Sequence, residues 1–139
     1  MNSANDWNKA IIEEFRANKG QVGGRFAGQP LLLLHTTGAK SGQERVNPVA
    51  FYYDNDRLVI IASKGGAPTN PNWYYNLLAN PIVEVEAGTE RFKARAEVVT
   101  SEPERSRLYD RMAADRPSFE EYKHKTTRVI PVITLTRLP

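Results

Sequence analysis

The sequence predicts an α+β domain built on about six mainly antiparallel strands with peripheral helices. Three observations predict it. Short apolar or alternating segments are separated by turn residues. Helical patterns do not follow strands one for one, so the βαβ alternation of a Rossmann domain is absent. At 139 residues the chain is suited to a single core. Residues 1–23 are expected to form an amphipathic helix with its connection, and residues 24–139 the sheet domain.

Asp6 to Asn18 carries Trp7, Ile11 and Phe15 at four-residue spacing, and Gly20 supplies a stop. The glycine-rich stretch Gln21 to Gln29 is expected to be irregular. Pro30 introduces the apolar run Leu31 to Leu34, read as a buried strand. After the break at Gly38 to Gln43, Arg45 to Tyr53 resumes strand character, with Pro48 marking an edge or bulge. Asp54-Asn55-Asp56 turns this segment into Leu58 to Ile61, a hairpin. Asn70 to Leu78 reads as a short helix ended by Asn80-Pro81. Ile82 to Val85 and Phe92 to Val99 form a further hairpin, with Glu84, Glu86, Lys93 and Arg95 on a solvated face. Ser101 with Glu104, and Ser118 with Glu121, are capping-box spacings that predict two helices. Val129 to Thr136 is the closing strand.

Composition excludes several classes. There is no cysteine, so disulfides, thiolate nucleophiles and zinc-thiolate sites are ruled out. Two separated histidines argue against a His-rich metal centre, and no metal is expected. His35 reads as a satisfied buried imidazole and His124 as solvated. No apolar run approaches a membrane span or a signal sequence, which leads to the expectation of a cytoplasmic protein, with peripheral contact at the inner face of a membrane left open. Nineteen Lys and Arg against 16 Asp and Glu give +3, too slight for nucleic-acid binding without a basic stripe. No carboxylate pair suggests hydrolysis.

Two glycine-bearing loops carry the chemistry. Thr36 to Arg45 combines hydroxyls, backbone amides, Lys40 and Arg45, a donor set for a phosphate-like anion that lacks Walker spacing. A solvated hairpin turn has the same composition. Ala62 to Ala67, with Ser63 and Lys64, repeats the pattern at the end of an apolar strand. In Asn70 to Asn76, the consecutive aromatics Trp73, Tyr74 and Tyr75 cannot all face one core from a helix, so one or two should face a cavity. Phe119 and Tyr122 have the spacing of a core face or of a lid. No residue is singled out as catalytic.

The order Leu31-Leu32-Leu33-Leu34-His35-Thr36-Thr37-Gly38-Ala39-Lys40-Ser41-Gly42, Arg45-Val46-Asn47-Pro48, Ser63-Lys64-Gly65-Gly66, Asn70-Pro71-Asn72-Trp73-Tyr74 and Ile130-Pro131-Val132 resembles the deazaflavin-dependent nitroreductase family, over about Gly24 to the C-terminus. The resemblance implies a split β-barrel like that of FMN-binding proteins, and coenzyme F420, a deazaflavin with a phosphate and an oligoglutamate tail. It implies hydride transfer from reduced F420 to a hydrophobic unsaturated acceptor: a quinone, an enone or a nitroaromatic. Lys40, Ser41, Arg45, Lys64 and Asn76 would hold the phosphate and tail, and Ala39, Trp73 and Tyr74 would also contact the cofactor. Val46, Asn47, Pro48, Val49, Ala50, Ile61, Ala62 and Ser63 would border the ring, and Trp73, Phe119 and Tyr122 would shape the acceptor pocket. Ala39 stands where the family commonly has Arg, and Ala50, Arg116 and Phe119 stand at positions of other aromatics, which disfavours bicyclic nitro compounds. FMN in the same barrel, or a non-catalytic carrier of the coenzyme or of a hydrophobic ligand, are the alternatives. The chain is expected as a monomer or homodimer.

Overall fold

The computed structural model describes residues 3–23 and 30–139, with side chains from residue 8 in the first segment. The Trp7 side chain and most of the predicted Gln21 to Gln29 connection lie outside the described residues. In chain order the elements are α1 (Ser3–Ala17), β1 (Leu31–Thr37), β2 (Glu44–Ala50), β3 (Tyr52–Asp54), β4 (Arg57–Ile61), a 3-10 turn at Lys64–Gly66, α2 (Asn72–Ala79), β5 (Ile82–Ala87), β6 (Glu90–Val99), α3 (Glu104–Asp115), α4 (Ser118–Lys125) and β7 (Val132–Arg137).

The seven strands form one sheet in the order β2-β1-β5-β6-β7-β4-β3, every neighbouring pair antiparallel. Its two edges, β2 and β3, are consecutive in the chain and separated only by Phe51. A sheet whose edges are joined by one residue must coil until those edges meet, so the architecture is a barrel left open at the β2/β3 seam. The fold is the predicted α+β split β-barrel. The strand count rises from six to seven because the segment read as one strand from Arg45 to Tyr53 breaks at Phe51.

The barrel interior is filled by alternate residues of six strands, among them Leu32, Leu34, Leu58, Ile60, Val85, Ile133 and Leu135. The outer face is covered in two places. Ile11 and Phe15 of α1 pack on Leu31 and Leu33, while Leu108, Tyr109 and Met112 of α3 and Phe119 of α4 pack on Val59, Ile61 and Val132. This double burial explains why β1 and β4 are apolar at consecutive positions. On β6 the outward Lys93 and Arg95 are exposed, as their alternation predicted.

Two terminus expectations are corrected. Neither α3 nor α4 has a side-chain capping box: Pro103 and Pro117 precede them, and Ser118 is already inside α4. At α3 the Glu102 carboxylate accepts from the Ser106 N–H and hydroxyl instead. The predicted stop at Gly20 is present. Its φ of +91° is left-handed, its N–H donates to the Phe15 carbonyl at 2.8 Å, and a Cβ there would lie 2.7 Å from Gly88 Cα. Among the described residues no helix is long and apolar enough to cross a membrane.

Two buried tyrosines tie the helical cover to the barrel and to itself. Tyr52 donates to the Leu108 carbonyl at 2.7 Å and Tyr109 to the Phe119 carbonyl at 2.6 Å. Burial pushes both phenols up to about 12. Their contribution to stability is therefore present below the ordinary tyrosine range of about 10 and is lost as pH rises toward 12. Following phenolate absorbance on raising pH should show two of the six tyrosines ionising late, together with unfolding. Tyr52→Phe should remove one late phenol and lower stability by about 0.5–1.5 kcal/mol, the net contribution of one hydrogen bond to a carbonyl that stays within the ladder of α3.

Candidate functional site

The loop between β1 and β2 is closed by its own backbone. Gly38 N–H donates to the Gln43 carbonyl at 2.7 Å, Gly42 N–H to the Gly38 carbonyl at 2.9 Å, and Gln43 N–H to Ser41 Oγ at 3.2 Å. The Ala39 N–H donates to Asn76 Oδ1 at 3.0 Å, and Asn76 Nδ2 donates to Thr36 Oγ1 at 3.1 Å. Asn76 is thus a buried brace between α2 and the loop, with both polar atoms engaged, and not a free phosphate donor. The amides of Lys40 and Ser41 carry no such bond among the described residues, so the loop offers fewer free amides than its composition suggested.

Those two residues lie on a cleft of about 1050 Å³ bounded by α1, the β1–β2 loop, β2 and α2. Of the predicted site residues, Ala39, Lys40, Ser41, Arg45, Val46, Asn47, Trp73 and Asn76 line it together. Lys9 joins them from α1. Lys9, Lys40 and Arg45 make no ion pair among the described residues. Arg16, Arg57, Arg91 and Arg107, by contrast, are each bound to a carboxylate. Glu44 is the only acid among the described lining residues. The first turn of α2 adds the partial positive charge of a helix N-terminus. Three unpaired cations, a hydroxyl and free amides fit an anionic cofactor with a charged tail.

Other predicted residues are placed elsewhere. Tyr74 packs against the barrel core, and Tyr75, 48% exposed, lines the cleft instead. That division satisfies the expectation that the three aromatics split. Val49 and Ala62 are buried in the barrel core and Ile61 in the α3/α4 cluster. Ala50 packs between the two outer clusters. Pro48 sits in β2 opposite Leu33.

The second loop does not line this cleft. Gly66, at φ +82°, lies so close to α4 that a Cβ would come within 2.9 Å of Lys125 Cβ and 3.1 Å of Tyr122 Cα. Among the described residues Lys64 donates to Thr69 Oγ1, at 3.2 Å, and Ser63 is buried. Phe119 is buried with Tyr109, and its ring meets that of Tyr122 edge-on at 5.2 Å. Phe119 and Tyr122 therefore belong to a separate cluster from Trp73.

Sequence reasoning missed Lys9, Tyr75 and Arg128. Asn8, Lys9 and Ile12 share a helical face by their three- and four-residue spacing, a signal that could have found Lys9. Arg128 lies in the cationic stretch around His124, the histidine read as solvated. Its guanidinium instead donates to the carbonyls of Ala67 (2.9 Å), Ser63 (2.8 Å) and Ala62 (3.3 Å), and to Asn70 Oδ1 (2.6 Å). Nothing local in the sequence signals that fan of acceptors. Arg116 is also buried; it donates to the Pro30 carbonyl, and burial pulls its guanidinium below its ordinary value. Arg128→Lys should not restore what Arg128→Ala loses, because an ammonium lacks the planar fork. Urea unfolding should show both variants less stable by about 1.5–3 kcal/mol.

Comparison with known proteins identifies the family. Residues 7–137 match the family model described as F420H(2)-dependent quinone reductase. An F420H(2)-dependent quinone reductase of Mycobacterium tuberculosis is 42% identical over 126 residues, 88% of this chain and 85% of the relative. The solved structure of an F420-H2 dependent reductase, FDR-A, aligns with a TM-score of 0.69 at 38% identity, over 76% of this chain and 93% of that one. A structure described as a domain-swapped dimer aligns with a TM-score of 0.72 at 34% identity, over 95% and 98%. The chain belongs to the F420H(2)-dependent quinone reductase family: it is an F420-dependent reductase, and coenzyme F420 is its cofactor.

Proposed function

We propose that this chain reduces a quinone-type acceptor, a small hydrophobic molecule, with the cofactor's phosphate and tail held in the cleft between α1, the β1–β2 loop and α2. The observation that carries the placement is the trio Lys9, Lys40 and Arg45, unpaired among the described residues, around a cleft of about 1050 Å³. The acceptor class is supported by the family and by the quinone reductase of Mycobacterium tuberculosis.

When bound, reduced F420 supplies a hydride and needs no protein nucleophile. The chain's work is binding, orientation and exclusion of water. Lys40 and Arg45 neutralise the anionic end, with charge-assisted bonds each contributing roughly 1.5–3 kcal/mol. Ser41 keeps a hydroxyl proton to donate, since its oxygen accepts from Gln43 N–H. Asn76 positions the loop without touching the anion. Val46, Asn47 and Trp73 offer an edge of mixed polarity for a flat ring at the inner end of the cleft. Enones and nitroaromatics fit the same electron demand. Ala50, small and packed against the two outer clusters, and Arg116, buried, stand where the resemblance implies aromatics, which disfavours bicyclic nitro compounds.

Lys40→Ala with Arg45→Ala should weaken F420 binding by at least about 1.5 kcal/mol, roughly tenfold, as read by quenching of deazaflavin fluorescence. Turnover of menadione at saturating cofactor should change much less. Asn76→Ala should lower stability by about 1–3 kcal/mol and weaken cofactor binding, although no charge is removed. Unchanged affinity in the double variant would place the anion elsewhere.

A further inference from the structure

On the outer face of the sheet, His35 lies in the middle of three adjacent strands, directly opposite Glu84 of β5, while Glu44 of β2 pairs with Thr37 two positions along β1. The imidazole is 5% exposed. Its Nε2 lies 2.5 Å from Glu86 Oε2, and Glu86 is held in turn by Arg16 at 2.8 and 3.1 Å. A carboxylate so paired only accepts, so the proton between them sits on Nε2. The ring then turns Nδ1 to the other side. There it is buried with no hydrogen-bond partner among the described residues, and it faces Glu44 Oε1 at 3.4 Å.

A ring nitrogen and a carboxylate oxygen facing each other in a half-enclosed space attract positive charge between them, either a proton or a metal ion. Ligand atoms of His35, Glu44 and Glu84 all lie within 4.8 Å of one another, beside a cavity of about 200 Å³ that these residues line with Thr37 and Lys93. Around a tetrahedral zinc ion with bonds of about 2.0–2.1 Å, neighbouring ligand atoms are about 3.3 Å apart. The His35–Glu44 separation already has that length, and Glu44, with a side chain 64% exposed, is free to adjust. A carboxylate fixing the distal nitrogen of a ligating histidine is the usual outer support of such a centre.

We propose that His35 Nδ1, Glu44 and Glu84 form a binding site for a divalent cation of the zinc type, with Glu86 as the positioning residue that fixes the imidazole tautomer. One imidazole and two carboxylates favour a borderline ion over magnesium or calcium. Arg91 binds Glu84 at 2.6 and 3.2 Å but leaves each oxygen a further lone pair. Lys93 opposes the ion electrostatically from the cavity wall. Because Glu44 also lines the cationic cleft, an ion here would neutralise the one carboxylate that faces Lys40 and Arg45 among the described lining residues.

The test uses the full chain, without a histidine tag and stripped by chelator, titrated calorimetrically with Zn2+ and spectroscopically with Co2+. One equivalent should bind, with Co2+ giving visible bands of a low-coordinate nitrogen and oxygen site. Glu44→Gln, exposed and harmless to folding, should weaken Zn2+ at least tenfold. Glu86→Gln should weaken it by about 10- to 100-fold, and Lys93→Ala should tighten it. The proposal is overturned if neither metal binds, or if wild type, Glu44→Gln and His35→Gln bind alike. It is equally overturned if ring-nitrogen NMR shows Nδ1 of His35 protonated throughout the zinc titration.

Discussion

Phe51 joins the two edges of a seven-stranded sheet, and the closure this imposes governs the rest of the molecule. With β2 and β3 consecutive in the chain, the sheet cannot stay open, and its interior face becomes the barrel core. The outer face is left to be covered by whichever helices the connections can deliver. α1 covers β1 and β2; α3 and α4 cover β4 and β7. The two polar cavities described above lie along the β2, β1 and β5 side of the sheet, the larger one walled by α1 and α2. Site placement thus follows from topology before any side chain is considered.

Much of that topology was legible because the signals are local. Leu31 to Leu34 and Leu58 to Ile61 are apolar on both faces, and Gly20 and Asn80 stop their helices where expected. The break at Phe51 was not legible, since nothing in Ala50-Phe51-Tyr52 interrupts strand character; the bend comes from closing the barrel. The capping boxes failed for a related reason. Serine three residues before glutamate is a helix start only if the local backbone permits it: Pro103, between Ser101 and Glu104, delays α3, whereas α4 starts one residue early, with Pro117 at the cap and Ser118 already helical.

The candidate site was legible as composition and not as geometry. Cationic, glycine-bearing loops imply an anion pocket, but only one of the two predicted loops lines the cleft. Asn76 and Arg128 show what a linear reading lacks, which is knowledge of where donors are already engaged. Asn76 was expected to be available, Arg128 was not singled out, and both hold backbone in place. The unpaired cations are informative because most other arginines have carboxylates. His35 is the converse case: its environment is made by three glutamates from two other strands, and its spacing along the chain carries no trace of them.

The central claim is that the cleft between α1, the β1–β2 loop and α2 holds the charged end of F420. Comparing the affinity of intact F420 with that of its tail-less, phosphate-free deazaflavin tests it most directly, in wild type and in a chain carrying Lys9→Ala, Lys40→Ala and Arg45→Ala. The account predicts that wild type binds F420 far more tightly than the tail-less form, that added salt narrows the gap, and that the triple variant abolishes it. Equal affinity for the two forms in wild type, or a gap unchanged by the three substitutions, would contradict it.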